Sequence, residues 1–419
     1  MNPTLTDFQN FHRERAERMP IGEIDPAQPE LFQNDAVLPY FERLRREDPV
    51  HYTSEHEFGP YWSITKHSDL MAVSADHGTF SSQGGISIVN QGPIEGALPM
   101  FIAMDPPEHT VRRRTVLPAF TGPSVHSLEA LIRNRAASIL DSLPVGEEFD
   151  WVDRVASELT AMTIATLFNI PQEDRRMLTR WADVVTSPVG PAHLVGTLEE
   201  KISIFKEFND YFTRLWNKRV NEPPSDDLIS MLAHGEATRN MGQREFFGTI
   251  MLLMVAGTDT TRSSIAASLL GLNLYPGEYA RLRADTSLIP AMAEEAFRWQ
   301  SPVAHTRRTA LTDTEIRGRK IRKGEKVILW HVSANNDEEV YTEPREFRIG
   351  RECLSIPIGF GHGIHRCVGR RLAEMQLRVL WEEILKRFPE ISVTEDPVRM
   401  PSTFINGYRE MKAIIPSRL

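Results

Sequence analysis

Ten consecutive residues constrain this chain more than any other stretch: Phe-Gly-His-Gly-Ile-His-Arg-Cys-Val-Gly at positions 360–369. They end where a helical pattern begins. Apolar residues at Leu372, Met375, Leu377, Leu380 and Ile384 predict a helix over about 368–388. Cys367 therefore stands at the mouth of that helix, where backbone N–H groups and the helix dipole favour a thiolate. Gly361, Gly363 and Gly369 permit tight turns and a close approach of backbone to a flat ligand. Phe360 is placed to shield the sulfur. The chain has only 2 cysteines, too few for a disulfide framework. The other, Cys353, belongs to no such pattern and reads as an ordinary core or near-surface thiol.

The remainder is written mainly for helices. Segments 124–143, 154–168, 171–185 and 198–220 repeat apolar residues at i, i+3, i+4 and i+7, and longer patterns predict helices over 243–274 and 289–300. A shorter helix is expected over 38–46. Residues 51–67 read as a β-hairpin turning at Gly59-Pro60, with further strands near 308–311 and 326–330 and in the C-terminal third. Residues 78–101, rich in Gly, Ser and Pro, read as a long functional loop. The fold class is mainly α with a minor β region, in one domain spanning 1–419, with about 1–35 lying over it as an extended arm. A formal net charge of −9 argues against a nucleic-acid binder held by phosphate contacts. The charged N-terminus lacks a signal peptide's apolar core, and the most apolar run, 250–256, is too short to span a bilayer. A cytoplasmic protein is the expectation.

Inside the predicted 243–274 helix lies Ala256-Gly257-Thr258-Asp259-Thr260-Thr261. Gly, Thr and Asp cost up to about 1 kcal/mol each against alanine in a helix interior, and such local violations mark functional sites. The Thr260 hydroxyl can bond a carbonyl one turn back and open a groove. An acid beside an alcohol suits proton relay. Glu295 and Arg298 share one helix face, a spacing that by itself describes any surface ion pair.

The spacing Phe-x-x-Gly-x-His-x-Cys-x-Gly resembles the haem-binding loop of the cytochrome P-450 superfamily, and the segments at 109–113, 256–261 and 295–298 resemble that family's further motifs in its order. The resemblance implies a cytochrome P-450 fold with haem b between the long central helix and the cysteine loop, and Cys367 as the axial thiolate on iron. It places Ala256 and Gly257 above the haem, leaving room for dioxygen, and makes Asp259 and Thr260 the acid–alcohol pair. His109, Arg113, Arg308 and His365 fall at propionate-binding positions. Glu295 and Arg298 become a structural network, while Arg112 and Arg114 point toward the face where an acidic ferredoxin would dock. A mostly apolar substrate pocket is expected from the 85–101 loop, Leu252, Val255, Ala256, Val303, Ala304, Phe404 and Ile405.

Segments 58–63, 100–107, 381–388 and 404–409 are further similar to the bacterial medium-chain alkane terminal hydroxylase family. That similarity implies ω-hydroxylation of alkanes or fatty acids with dioxygen, driven by a two-iron two-sulfur ferredoxin and its reductase. No Gly-x-Gly-x-x-Gly run follows a strand and one cysteine is left over, so electrons must come from a partner. Three alternatives stand beside this reading: a hydroxylase of a terpene, sterol or other cyclic substrate, a peroxide-driven fatty-acid hydroxylase, and a non-catalytic haem sensor. Asp259-Thr260 argues against the last two.

Overall fold

The central helix, Gln243–Leu274, organises the molecule. In the computed structural model, which describes residues 3–89, 98–187, 189–190, 194–352 and 358–419, this helix packs against Ile289–Gln300, Arg175–Thr186 and Glu158–Leu167. Most of its side chains are buried, as its apolar composition requires. It stops where Tyr275 precedes Pro276, because a residue before proline is disfavoured in helical conformation. The cysteine helix, Arg370–Leu385, lies against Gly122–Asp141 and Ile289–Gln300. Thr121 caps Gly122–Asp141, its hydroxyl accepting from the Ser124 N–H. Among the described residues no helix is long and apolar enough to cross a membrane.

The minor β region centres on a five-stranded sheet in the order Val50–Thr53, Tyr61–Ile64, Lys326–Trp330, His305–Ala310, Phe80–Ser81. The first two strands form the expected antiparallel hairpin, with Gly59 at φ 81° in its connection. Tyr61–Ile64 then pairs in parallel with Lys326–Trp330, whose side chains are all buried.

Two expectations are corrected. The N-terminal stretch is not an extended arm: it forms a helix, Pro3–Arg18, a 3₁₀ turn, Ile21–Glu23, and a short helix, Pro29–Gln33. It docks on Leu38–Glu47 through a shared apolar cluster, in which Ala16, Ile24, Leu31 and Phe32 meet Tyr40, Phe41 and Leu44, and through polar links. Arg43 donates to the carbonyls of Ala16 and Met19 at 2.5 and 2.6 Å, and His12 meets the Tyr40 hydroxyl at 2.8 Å. Within the first helix the apolar contact rests on Phe8 and Ala16 while Phe11 is exposed, too short a stripe for periodicity to reveal. The helix expected from 154 also begins differently, entering through a π-helical segment, Val152–Ser157.

Glu295 and Arg298 are 4% and 1% exposed, which separates them from any surface pair. Arg298 forks onto both Glu295 carboxylate oxygens at 2.7 Å and donates to the carbonyls of Asn335, Pro344 and Glu346. Glu295 also accepts from the Arg348 N–H and the Arg351 guanidinium, each at 2.9 Å. Asn335 passes this order on: its Oδ1 accepts the N–H of Ile358, at the start of the cysteine loop. Arg298→Ala leaves the buried Glu295 carboxylate to Arg351 and the Arg348 N–H and takes a donor from three carbonyls. It should cost about 3 kcal/mol, the lower end for a broken buried pair, in denaturant titration of the haem-loaded protein. Arg298→Lys should cost less, since it keeps the charge and loses the fork. An alanine variant losing under about 1 kcal/mol, the worth of an exposed pair, would deny the network its structural role.

Candidate active site

Between the central helix and the cysteine loop lies a cavity of about 1340 Å³. Sites for one small molecule occupy roughly 300–1,000 Å³, so this one has room for a prosthetic group and a substrate together. The central helix contributes Leu252, Val255, Ala256, Gly257 and Thr260 to its wall, and the loop contributes Phe360, Gly361, His365, Cys367 and Gly369. Arg113 and Arg308 line it as well. Val303, Phe404 and Ile405 complete the expected set, stapled together by a Val303–Ile405 bridge and by Ala304 N–H donating to the Phe404 carbonyl at 2.9 Å. Ala304 itself is fully buried and off the wall, a correction to the expected lining. From the 85–101 loop, Ile86, Ser87, Ile88, Val89, Leu98, Met100 and Phe101 face the cavity; 90–97 lie outside the described residues, as does Cys353.

The cysteine sits where the sequence puts it, just ahead of the helix that Gly369 opens. Its sulfur opens onto the cavity while lying deep inside the protein. Burial raises the thiol above its ordinary value, opposed by the Gly369 N–H, the Arg113 guanidinium and the Arg370 N–H. The Cys367 N–H donates to the Phe360 carbonyl at 2.8 Å, closing the loop. Gly363 is demanded by packing: at φ 70°, a Cβ there would stand 2.2 Å from the Ser74 carbonyl oxygen. The Phe360 ring packs tilted against Phe297, centroids 4.6 Å apart and planes at 52°.

Four basic side chains gather at one side of this bed. Arg113 donates to the Arg366 carbonyl and Arg308 to the Arg307 carbonyl. His365 lines the cavity, with His109 one layer behind, their ring centroids 4.3 Å apart. Both nitrogens of both imidazoles are buried without a hydrogen-bond partner among the described residues. Burial, then Arg308, His109 and Arg113, depress His365 to about 2; burial and Arg113 depress His109 to about 4. Burial also lowers Arg308, to about 10. Cations and orphaned donors so placed lack an anion, and the two carboxylates of a haem fit that need. No group of three or more His, Cys, Asp or Glu among the described residues could hold a bare metal ion. Cys367 would hold the iron of such a group, which would bring the remaining ligands itself.

Across the cavity, the Thr260 hydroxyl donates to the Ala256 carbonyl at 2.8 Å, the one-turn-back bond that opens a helix. Ala256 faces the cavity. Gly257 lines the cavity beside it, and a Cβ there would lie 2.2 Å from Ile164 Cδ1, another wall residue, from a neighbouring helix. Asp259 is fully buried and turns away from the wall. Its carboxylate accepts from Arg262 at 3.0 Å and from Thr186 at 3.3 Å; Thr186 lines the cavity, and Arg262 also pairs with Asp183 at 2.8 Å. Burial, partly offset by Arg262 and reinforced by Asp183, raises Asp259 to about 6.

Two histidines gave no local sequence signal, His331 on the wall and His305 buried behind it. His305 is buried, with Nδ1 on the Thr403 carbonyl at 2.7 Å and Nε2 accepting from the Ile88 N–H at 3.0 Å, which fixes its tautomer and joins two wall segments. His331 spans the Ile358 carbonyl and the Thr306 hydroxyl. Arg112, expected to face a partner, is committed to Glu245 at 2.6 Å. Arg114 is exposed.

Comparison with known proteins agrees with this geometry. The cytochrome P-450 family model matches residues 40–407. A linalool 8-monooxygenase of Pseudomonas putida is 33% identical over 93% of this chain and 98% of its own. A methyl-branched lipid omega-hydroxylase of Mycobacterium tuberculosis is 33% identical over 88% of this chain and 89% of its own. Among solved structures, CYP153D17 from a Sphingomonas species superposes with a TM-score of 0.87 at 42% identity, covering 93% of this chain and 98% of that one.

The raised Asp259 carboxyl gives a direct test. Its protonated form persists from the ordinary carboxylate range up to about pH 6, whereas His305, His331 and His109 titrate near 3 to 4. Infrared difference spectra should therefore show a protonated-carboxyl band at pH 5 that fades as pH rises through about 6. Asp259→Asn should lack it. A band unchanged in that variant would assign the ionisation elsewhere.

Proposed function

The chain belongs to the cytochrome P-450 family, and from that premise we propose that it hydroxylates the terminal carbon of a medium-length alkane or fatty acid. It is an oxidoreductase, a monooxygenase whose cofactor is haem b with a cysteine thiolate as axial ligand. The observation that carries the finer reading is the wall opposite Cys367. Leu252, Val255, Val303, Phe404 and Ile405 make it apolar, and Thr260 and Thr261 are its polar residues on the central helix. Such a wall holds a hydrocarbon by area, with little to orient a polar ring. The similarity to a protein named an omega-hydroxylase supports the same position of attack.

When bound, the haem supplies the activation of dioxygen and the oxidation of the C–H bond. The chain does the rest. Cys367 holds the iron, and Arg113, Arg308 and His365, with His109 behind, hold the propionates. The apolar wall orients the substrate and excludes water. Thr260 presents a hydroxyl to the cavity, and Asp259, linked to it through the helix and to the wall through Thr186, stores and releases protons. The whole of 1–419 works as one domain in the cytoplasm, with electrons delivered by a two-iron two-sulfur ferredoxin and its reductase. The similarity to a linalool 8-monooxygenase supports a second reading, a terpene alcohol as substrate.

Reconstituted with a ferredoxin and reductase, the haem-loaded protein should give the red-shifted Soret band of thiolate ligation in its reduced carbon monoxide complex, and should convert dodecane or dodecanoic acid to the terminal alcohol. Turnover of linalool with neither linear chain touched would select the second reading. Thr260→Ala should slow product formation by about 10²-fold and divert electrons to peroxide, with spin-state affinity for substrate kept. Unchanged coupling would remove Thr260 from proton delivery.

A further inference from the structure

The cavity wall carries charge in three places. Arg113 and Arg308 belong to the propionate bed, and Asp25, Glu30 and Glu57 line the side formed by the N-terminal stretch and the hairpin. The third is Lys201, from the helix Leu198–Val220, beside Val185, Thr186 and Ser187 at the end of Arg175–Thr186. Beyond the bed, Lys201 is the one lysine or arginine lining the cavity among the described residues.

Its ammonium donates to the Ser187 carbonyl at 2.7 Å and, more weakly, to the Val185 carbonyl at 3.5 Å. The Phe205 ring lies 5.7 Å away. An ammonium has three donors, so one is left for the cavity. No carboxylate of the described residues pairs with it, although ion pairs are plentiful elsewhere in the molecule, and burial lowers its pKa. A bland role is available, since a lysine can cap the last carbonyls of a helix. That role does not need a half-buried ammonium on the wall of an apolar cavity, where desolvation costs and no counter-charge offsets it.

We propose that Lys201 is a specificity-determining anchor for a terminal carboxylate, so that fatty acids are selected over alkanes and esters of the same length. The proposal rests on the linear-chain reading above. The acid's carboxylate meets Lys201, whereas Asp25, Glu30 and Glu57 make the N-terminal side of the wall repel it. Its hydrocarbon tail then runs along Leu228, Leu252 and Val255 toward Cys367, which presents the ω-carbon to the reactive face.

The test is a spin-state titration of the haem-loaded protein with dodecanoic acid, methyl dodecanoate and dodecane. The wild type should bind the acid at least about tenfold more tightly than the ester, the range of a charge-assisted hydrogen bond. Lys201→Met should abolish that difference while ester and alkane keep their affinities, and Lys201→Arg should retain it. Equal binding of acid and ester by the wild type overturns the proposal and leaves the linear-chain reading standing. Equal weakening of all three ligands by Lys201→Met overturns it in favour of a helix-capping role. If none of the three shifts the spin state, the linear-chain reading falls first and takes the anchor with it.

Discussion

Arg298, shared between Glu295 and three backbone carbonyls, ties its helix to the segment 335–346, and Asn335 of that segment receives the N–H of Ile358 where the cysteine loop starts. Buried ion pairs add little net stability, because desolvation consumes most of the Coulomb gain. What this one contributes is position. A planar fork with five donors accepts few arrangements, so the loop that presents Cys367 inherits a fixed origin. Gly363 against Ser74 sets its far side. Between those two points the sulfur has little freedom to drift from the axis on which an iron must lie.

The bed opposite is electrostatically unfinished. Burial disfavours the charged forms of Arg113, Arg308, His109 and His365, the arginines press the two histidines down further, and the imidazoles keep unsatisfied nitrogens in a buried place. Such a cluster opposes folding until an anion enters it. A dianionic cofactor therefore stabilises the native state beyond its contacts alone, since it binds the folded chain and relieves a strain the unfolded chain does not have. The distal side shows the reverse arrangement. There Arg262 is neutralised from two sides by Asp183 and Asp259, and the second carboxylate is left close to its titration point.

Periodicity made the larger helices legible. Those at 243–274 and 289–300 have the expected limits, because long apolar faces leave a strong pattern, and the strand at 326–330 does too. The N-terminal helix escaped, since its apolar stripe is short, resting on Phe8 and Ala16, and Arg43 and Tyr40 complete its docking by polar contacts. The cysteine loop and the Glu295–Arg298 pair were recognisable as motifs, but burial, which separates a network from a surface pair, is not written locally. His305 and His331 are single residues whose roles arise when distant segments meet. Asp183 is likewise remote from Asp259 in sequence, so the carboxylate–guanidinium–carboxylate arrangement exists only in three dimensions. Gly257 was readable as special, yet the partner it makes room for, Ile164, was not.

The N-terminal stretch that was misread as an arm supplies one edge of the cavity, through Asp25, Gln28, Glu30 and Gln33. Its fastenings run to the hairpin and the Leu38–Glu47 helix: Asp25 accepts from the Tyr61 hydroxyl, Ile24 from His51, and Ala16 and Met19 from Arg43. That helix is also tied to the scaffold of the cysteine loop: its Arg45 reaches Ser333 and Glu338, and its Glu42 pairs with Arg345. Aperture and bed are thus geared to one another through a single helix. A substitution on that helix can reset the rim and the axis of the chemistry together.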